Sequence, residues 1–156
     1  KNGNPLYDIK NLGFNYRIDD LRSALGSAQI KKINKINLIR KKVAKNYCTL
    51  IEKKIANFKI PFRKFIGNNF SYHLFVILLP KKILRKNLIK HLYKKGIETS
   101  VHYTPIHKFK LYSKQKFRLK KLDKISEQLL SLPIYPKLKY NEQKLIIDKI
   151  YEFQKN

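Results

Sequence analysis

The chain has 156 residues, enough for one domain with its own hydrophobic core. It carries 36 basic and 10 acidic residues, for a net charge of +26, with one cysteine and no methionine. A lone cysteine excludes an internal disulfide and fits a reducing compartment, and no long apolar run marks a transmembrane helix. We therefore expect a cytoplasmic protein without a membrane partner. The missing methionine leads us to expect a piece of a longer chain.

The strong positive charge has two interpretations. Clustered cations attract phosphates by releasing counterions, which favours a basic nucleic-acid-binding module. However, only six of the 36 basic residues are arginine, the residue whose planar fork suits phosphates and bases. The lysines are scattered, with no more than two in a row. We prefer a solvated surface biased by composition, or one balanced by an acidic domain elsewhere, and expect no specific nucleic-acid partner.

The first third of the chain predicts an irregular loop followed by a helix. Gly3, Pro5 and Gly13 break residues 1–18. Asp19 or Asp20 offers an N-cap, and apolar residues at steps of mainly three and four extend the helix to about residue 54. Gly26 lies inside this helix, so we expect another chain segment to approach closely there. The predicted organisation is a loop over 1–18, a long connecting helix over 19–54 and a small α+β domain over 55–156.

The small domain is predicted from alternating strand and helix patterns. These are a strand over "FSYHLFVILL" (70–79), a helix over 83–95 closed by Gly96, a strand over "IETSVHY" (97–103), a helix near 122–130, an extended link "SLPIYPKL" (131–138) and a final helix capped by Asn141 and running to Phe153. Strand, helix, strand and further helices indicate an α/β chain, more narrowly an α+β layer.

Three polar groups, Asn15, Tyr16 and Arg17, stand side by side before the predicted helix. A helix start favours anions because its free N–H groups and dipole point outward. The other interpretation is that Tyr16 packs, Arg17 pairs with a nearby aspartate and Asn15 shapes a turn. The residues alone leave both open.

A second polar group of residues, His102, Tyr103 and His107, follows the second predicted strand, a common location for functional loops. Two imidazoles without a nearby acidic or cysteine cluster do not predict a metal site. They favour hydrogen bonding to a polar substrate, although a solvent-facing His102 is equally compatible. His73 and His91 are interpreted as strand-face and surface groups, and Cys48 as a buried apolar residue.

The chain contains none of the common phosphate-loop, nucleophile-elbow, HExxH or CxxC motifs. Carboxylates are scarce and none are paired at an expected pocket. We therefore predict no catalytic residue within the chain itself.

The order of the motifs is more specific than any one of them. "LGFNYRIDDLRSALGSAQIKKI", "INLIRKKVAKNY", "SYHLFVILL", "LYKKGIETSVHYTPIH" and "SLPIYPKL" follow one another along the chain. Together they resemble the C-terminal third of DegT/StrS-type nucleotide-sugar aminotransferases, pyridoxal-phosphate enzymes with the aspartate-aminotransferase fold. The resemblance extends from about Tyr7 to Phe153. Within the family it is greatest to transaminases that aminate UDP-linked 4-keto-6-deoxy-N-acetylhexosamines.

The resemblance implies roles for the two polar groups of residues. Asn15 matches the family residue that reaches the cofactor phosphate of the partner subunit in a homodimer, and Arg17 flanks the same corner. The resemblance also implies that four residues contact the substrate: Tyr16, His102, Tyr103 and His107. The Schiff-base lysine of the family lies upstream of this chain, in a large domain whose end would supply the loop over 1–18.

The resemblance also implies a function for the intact protein. It would use pyridoxal 5'-phosphate to move an amino group from glutamate to the keto sugar of a nucleotide sugar, for surface-glycan or sialic-acid-like sugars. The chain alone is expected to be inactive. A nucleic-acid-binding module and a non-catalytic remnant or regulator remain alternatives.

Overall fold

The computed structural model describes residues 8, 11–68, 70–112 and 119–155. Its helices and strands are, in chain order, α1 (Asp20–Ile30), α2 (Ile33–Lys54), β1 (Phe75–Leu78), α3 (Arg85–Lys94), α4 (Lys120–Gln128), β2 (Leu129–Leu132) and α5 (Tyr140–Lys155). Short 3₁₀ turns lie at 63–65, 106–108 and 110–112. Gly3 and Pro5, predicted to break the opening loop, lie outside the described residues. The mixture of helices and a small sheet confirms the predicted fold class.

The sheet is built from β1 and β2, which pair antiparallel with Phe75 opposite Leu132. Single bridges extend it on both sides: Lys59 pairs with Leu78, and Ser100 pairs with Ser131. Along β1, buried residues alternate with half-buried ones, as a strand with one face on a core requires. The sheet thus places the segment around Ser100 directly beside β2.

The hydrophobic core lies among α2, α3, α5 and the sheet. Its centre holds fully buried side chains from each of these elements: Tyr47, Ile51, Ile77, Leu88, Leu92, Leu130, Ile147 and Ile150. The ring of Tyr47 stacks on Phe75 at 4.9 Å, and its hydroxyl donates to the Pro133 carbonyl at 2.9 Å. Buried Cys48 agrees with its predicted apolar role. No helix in the described ranges combines the length and the apolar character that crossing a bilayer requires.

A buried glutamine joins α2 to α5. The Gln143 amide donates to the Val43 carbonyl at 2.8 Å and accepts from Asn46 at 3.2 Å. Gln143 is fully buried, and a buried amide is tolerated only when its polar atoms are paired. This pairing fixes how α5 lies along α2.

The predicted long helix over 19–54 is two helices, divided by a turn at Lys31 and Lys32. The apolar pattern gave no sign of this break, because Ile30 and Ile33 are three residues apart on either side of it. Only α2 buries its stripe in the core, whereas α1 contains no buried residue.

The strand predictions were wrong in extent. The strand predicted over 70–79 is confined to β1, because Tyr72 has a left-handed backbone, with φ of 45°, that interrupts the extended chain. The strand predicted over 97–103 is reduced to the bridge at Ser100. Residues 129–132, predicted as a helix end and a link, form β2 instead, because long-range pairing with β1 decides the state of a short apolar run.

The helix ends agree in part with the predictions. Asp19 caps α1, and its carboxylate accepts the Arg22 N–H at 2.8 Å. Gly96 ends α3 with φ of 74°, which a glycine adopts without strain. At α5 the prediction of Asn141 as the cap was wrong. Glu142 accepts the Lys139 N–H there at 2.6 Å, and Asn141 lies inside the helix.

Candidate functional site

The first polar group of residues lies on an extended, exposed segment, residues 11–19, which we call the arm. Tyr16 is 86% exposed, and Asn15 and Arg17 are exposed as well. Within the described residues, none of the three makes a hydrogen bond or an ion pair. The interpretation in which Tyr16 packs and Arg17 pairs locally therefore finds no support, since Asp19 pairs with Arg22 at 3.1 Å.

The helix start behind the arm is already occupied by acids. The Asp19 carboxylate takes one of the free N–H groups of α1, and Asp20 stands in its first turn. Negative side chains at this end satisfy the positive pole of the helix dipole. An anion near the arm would thus be held by the Asn15 amide and the Arg17 guanidinium rather than by the helix end.

The chemistry of these donors suits a phosphate group. An amide offers two N–H donors and a guanidinium five, with a fixed positive charge. Both side chains are free of other partners in the described part of the chain, so neither has to give up a bond to take a ligand. The two side chains therefore offer the donors and the positive charge that a phosphate group requires.

His102 lies at the edge of the sheet, next to β2. Its Nδ1 atom is 3.0 Å from the Ser131 hydroxyl and 3.4 Å from the Ser100 hydroxyl. The Tyr103 ring stands edge-on to the imidazole, with ring centroids 5.0 Å apart. The two serines fix the ring through one nitrogen and leave Nε2 available.

His107 lies in the 3₁₀ turn at 106–108 and faces α4. Its Nε2 atom is 2.8 Å from the Asp123 carboxylate, and the imidazole is 11% exposed. The Lys108 ammonium is 3.3 Å from the same carboxylate and 3.6 Å from Glu127. The hydrogen bond from His107, with smaller contributions from Lys108, lowers the pKa of Asp123 below its usual range.

A cavity of about 510 Å³ opens beside His102. Its lining is largely aromatic and includes Phe62, Phe65 and Phe70, with His73 at its wall. Phe62 has a left-handed backbone, with φ of 58°, and its side chain is 78% exposed. A cavity with these walls suits a flat or apolar group. His73, predicted to lie on a strand face, is exposed and lies before β1, which begins at Phe75.

Two arginines near this region donate hydrogen bonds to backbone carbonyls of separate segments, and the sequence did not assign them a role. Arg40 of α2 donates to the carbonyls of Tyr72, His73 and Ile134 at 3.2 to 3.3 Å. Arg85 donates to the carbonyls of Ser126 and Leu129, where α4 meets β2. Burial lowers the pKa of the Arg85 guanidinium. The signal that could have found them is that arginine is scarce among so many lysines.

His91 differs from its predicted surface role. It is half-buried, its ring lies 5.3 Å from that of Phe153, and its Nε2 atom is buried without a hydrogen-bond partner. It packs between α3 and α5, away from the loop that carries His102 and His107.

The structure brings together the candidates on the second loop but not the two groups of residues. His102, Tyr103 and His107 share one loop held by β2 and α4, whereas the arm makes no hydrogen bond or ion pair to them in the described ranges. Among the described residues, no group of three or more histidine, cysteine or acidic side chains could hold a metal ion.

Comparison with known proteins gives consistent matches. A profile of the DegT/DnrJ/EryC1/StrS aminotransferase family matches residues 2–151. A UDP-4-amino-4,6-dideoxy-N-acetyl-beta-L-altrosamine transaminase of Helicobacter pylori is 31% identical over 136 residues, covering 84% of this chain and 36% of the relative. A pleiotropic regulatory protein of Geobacillus stearothermophilus is 28% identical over 156 residues, covering 97% of this chain and 41% of the relative.

A solved structure agrees with these relatives. The Helicobacter pylori aminotransferase PseC, involved in the biosynthesis of pseudoaminic acid, superposes with a TM-score of 0.79 at 27% identity over 96% of this chain and 41% of that protein. The chain thus spans between 36% and 41% of the length of these three proteins.

Proposed function

The chain belongs to the DegT/DnrJ/EryC1/StrS aminotransferase family, and from that premise we propose that the intact protein is a nucleotide-sugar transaminase. It transfers an amino group from glutamate to a keto sugar carried on a nucleotide, with pyridoxal phosphate as cofactor. The relatives named as UDP-sugar transaminases favour a UDP-linked 4-keto-6-deoxy-N-acetylhexosamine as acceptor. Such sugars enter surface glycans, and their synthesis from nucleotide sugars favours a cytoplasmic location.

The observation that carries this proposal is the arm. Asn15 and Arg17 present phosphate-binding donors on an exposed segment and make no hydrogen bond or ion pair within the described residues. Exposed polar residues without a structural partner are candidates for binding. In this proposal Asn15 donates to the cofactor phosphate and Arg17 supplies positive charge at the same corner.

The loop at 102–107 supplies the sugar side of the site. His102 and His107 each have one ring nitrogen held by protein, which orients the ring. Tyr103 is 59% exposed, and its hydroxyl is placed to accept or donate a hydrogen bond. These groups, with Tyr16 of the arm, bind and orient the nucleotide sugar.

The division of labour follows from the chemistry. Pyridoxal phosphate, when bound, supplies an electron sink for moving the amino group, while the protein supplies binding and orientation. In this proposal the residues of this chain bind the phosphate and orient the sugar. The 156-residue chain alone is expected to be inactive.

We further propose that the arm serves the site of the partner subunit in a homodimer. The arm and α1 bury no residue within the described chain, so their side chains remain available to a second subunit. A two-fold dimer presents the same surface on both subunits, and one arm then crosses to each partner site.

The direct test is to assay the intact protein with glutamate and a UDP-linked 4-keto-6-deoxy-N-acetylhexosamine. We expect 2-oxoglutarate and an aminated nucleotide sugar in equal amounts. The 156-residue chain serves as the inactive control. Formation of neither product, with the cofactor bound and several nucleotide keto sugars tried, would contradict the proposal.

A second candidate, a regulator without transaminase activity, is favoured by the similarity to the pleiotropic regulatory protein of Geobacillus stearothermophilus. The same assay separates the two. An intact protein that binds the cofactor but turns over no keto sugar would favour the regulator.

A further inference from the structure

Two histidines of the loop share one arrangement. Each ring has one nitrogen against the protein, Nδ1 in His102 and Nε2 in His107. The other nitrogen of each ring makes no hydrogen bond in the described part of the chain, and neither is among its buried unpartnered atoms. Each imidazole therefore has one nitrogen available to a ligand. The partner of the other nitrogen decides whether the available one donates or accepts a hydrogen bond.

The partner of His107 is a carboxylate, unlike the hydroxyls that hold His102. An ionised carboxylate only accepts hydrogen bonds, so the proton of the neutral His107 ring must lie on Nε2, 2.8 Å from Asp123. Which ring nitrogen carries the proton is set by the bond that the other makes. Nδ1 of the neutral ring is then a hydrogen-bond acceptor.

We propose that Asp123 is a positioning residue, which fixes the tautomer of His107 so that Nδ1 accepts a hydrogen bond from a sugar hydroxyl or amide of the nucleotide sugar. The inference rests on the proposed function, because that function places His107 on the substrate side. It adds a residue of α4, outside the motifs, to the specificity of the site.

Other charged groups near the pair are Lys108 and Glu127. Lys108 shares the Asp123 carboxylate at 3.3 Å and reaches Glu127 at 3.6 Å. The simpler role for Asp123 is to tie the loop to α4 through both basic residues. That role needs the Nε2 contact but makes no use of Nδ1, so the two ring nitrogens can be tested separately.

The experiment replaces each nitrogen by its amide equivalent in the intact, cofactor-loaded protein. His107→Asn keeps a polar group near Nδ1 and loses the Asp123 contact, whereas His107→Gln keeps a group near Nε2. Asp123→Ala removes the carboxylate, and Glu127→Gln is the matched control on the same helix. The readouts are the dissociation constants of UDP- and dTDP-linked hexoses by calorimetry, and the midpoint of thermal unfolding.

We expect His107→Gln and Asp123→Ala to weaken binding of the nucleotide sugar about five- to tenfold, the effect of one lost hydrogen bond. The dissociation constant of His107→Asn should stay within about threefold of that of the unaltered protein, and Glu127→Gln should bind as the unaltered protein does. A purely structural role predicts the reverse order, with His107→Gln preserved and His107→Asn impaired, and that result would overturn the inference. Unchanged binding in Asp123→Ala would do the same.

The outcome also separates this inference from the proposed function. If the unaltered intact protein binds neither UDP- nor dTDP-linked hexoses, the nucleotide-sugar assignment fails, and the inference fails with it. If the unaltered protein binds and transaminates while the variants show no difference, only the role of Asp123 fails.

Discussion

The arm with α1 and the domain from α2 onward use the same kinds of apolar residue in opposite ways. In the first region Phe14 and Leu21 are 87% and 86% exposed, and α1 buries nothing. In the second, Leu88 and Ile147 are completely buried. Contiguous exposed apolar surface marks an interaction site in soluble proteins. The domain thus completes its own core, whereas the arm and α1 leave their apolar residues exposed within the described chain.

The largest expected effect contrasts one core residue with one from α1. In the 156-residue chain, Ile147→Ala should lower the free energy of unfolding by about 2–5 kcal/mol, because it leaves a cavity. Leu21→Ala should change it by less than about 0.5 kcal/mol, since the side chain touches mainly water. Urea denaturation followed by circular dichroism measures both. Equal losses would mean that α1 packs on the domain after all.

The next effect contrasts two arginines. Arg40 donates to three carbonyls, and Arg40→Met should destabilise the chain by about 1.5–3 kcal/mol, the range for hydrogen bonds to charged groups. Arg17→Met should leave its stability unchanged, because Arg17 has no partner among the described residues. The same denaturation experiment applies. If Arg17→Met lowered the free energy of unfolding as much as Arg40→Met does, the arm would contribute to the stability of the domain, which would contradict the comparison.

Two glycines sharpen the comparison further. Gly96 has φ of 74°, so Gly96→Ala should cost about 1 kcal/mol or more in a left-handed position. A Cβ at Gly26 meets nothing within 4 Å, so Gly26→Ala should stabilise the chain by up to about 1 kcal/mol through helix propensity. The close approach predicted at Gly26 is absent from the described chain, so destabilisation of the intact protein by Gly26→Ala would identify contact with a segment outside it. Destabilisation of the 156-residue chain itself would contradict the structure.

The smallest effect is a pH dependence at Asp123. The hydrogen bond from His107 lowers the pKa of this carboxyl below its ordinary value of 3.8. A lowered pKa contributes stability that is present above the ordinary pKa and is lost as the pH falls through the lowered one. The free energy of unfolding of Asp123→Asn should therefore lie below that of the unaltered chain near neutral pH, and the difference should shrink as the pH falls below the ordinary pKa of 3.8. Asp20→Asn on α1, whose carboxylate has no hydrogen-bond or ion-pair partner in the described ranges, is measured alongside as the comparison variant.

How far the sequence predicts this structure differs between the two regions. Periodicity correctly placed Val43, Tyr47 and Leu50 on one buried face of α2. This prediction needs only the spacing of apolar residues along one helix, which the sequence shows directly. The same periodicity gave α1 an apolar stripe without showing that no described part of the chain covers it. The polar group at Asn15 to Arg17 was noted from the residues themselves, but only the resemblance gave it a specific role. Within the described residues, none of the three has a competing partner.

The contacts that the sequence could not supply join distant segments. β2 was missed because residues 129–132 become a strand only by pairing with β1. The Ser131 contact of His102 depends on that strand, and the Asp123 contact of His107 spans 16 residues across an irregular loop. Local sequence patterns carry no information on such pairs. The hydrogen bonds that hold His102 and His107 could therefore be identified only in the folded chain.

The most direct test of the central claim, that the arm completes the cofactor site of a partner subunit, uses mixed dimers of the intact protein. One subunit carries Asn15→Ala, and the other lacks the Schiff-base lysine that the family resemblance places upstream of this chain, so each homodimer is expected to be impaired. In a mixed dimer, the subunit that keeps its lysine receives the unaltered arm of the other. Random mixing should then restore transaminase activity to about a quarter of that of the unaltered protein, because half the dimers are mixed and one of their two sites is complete. No recovery on mixing, with dimer exchange verified, would show that the arm does not serve a partner subunit.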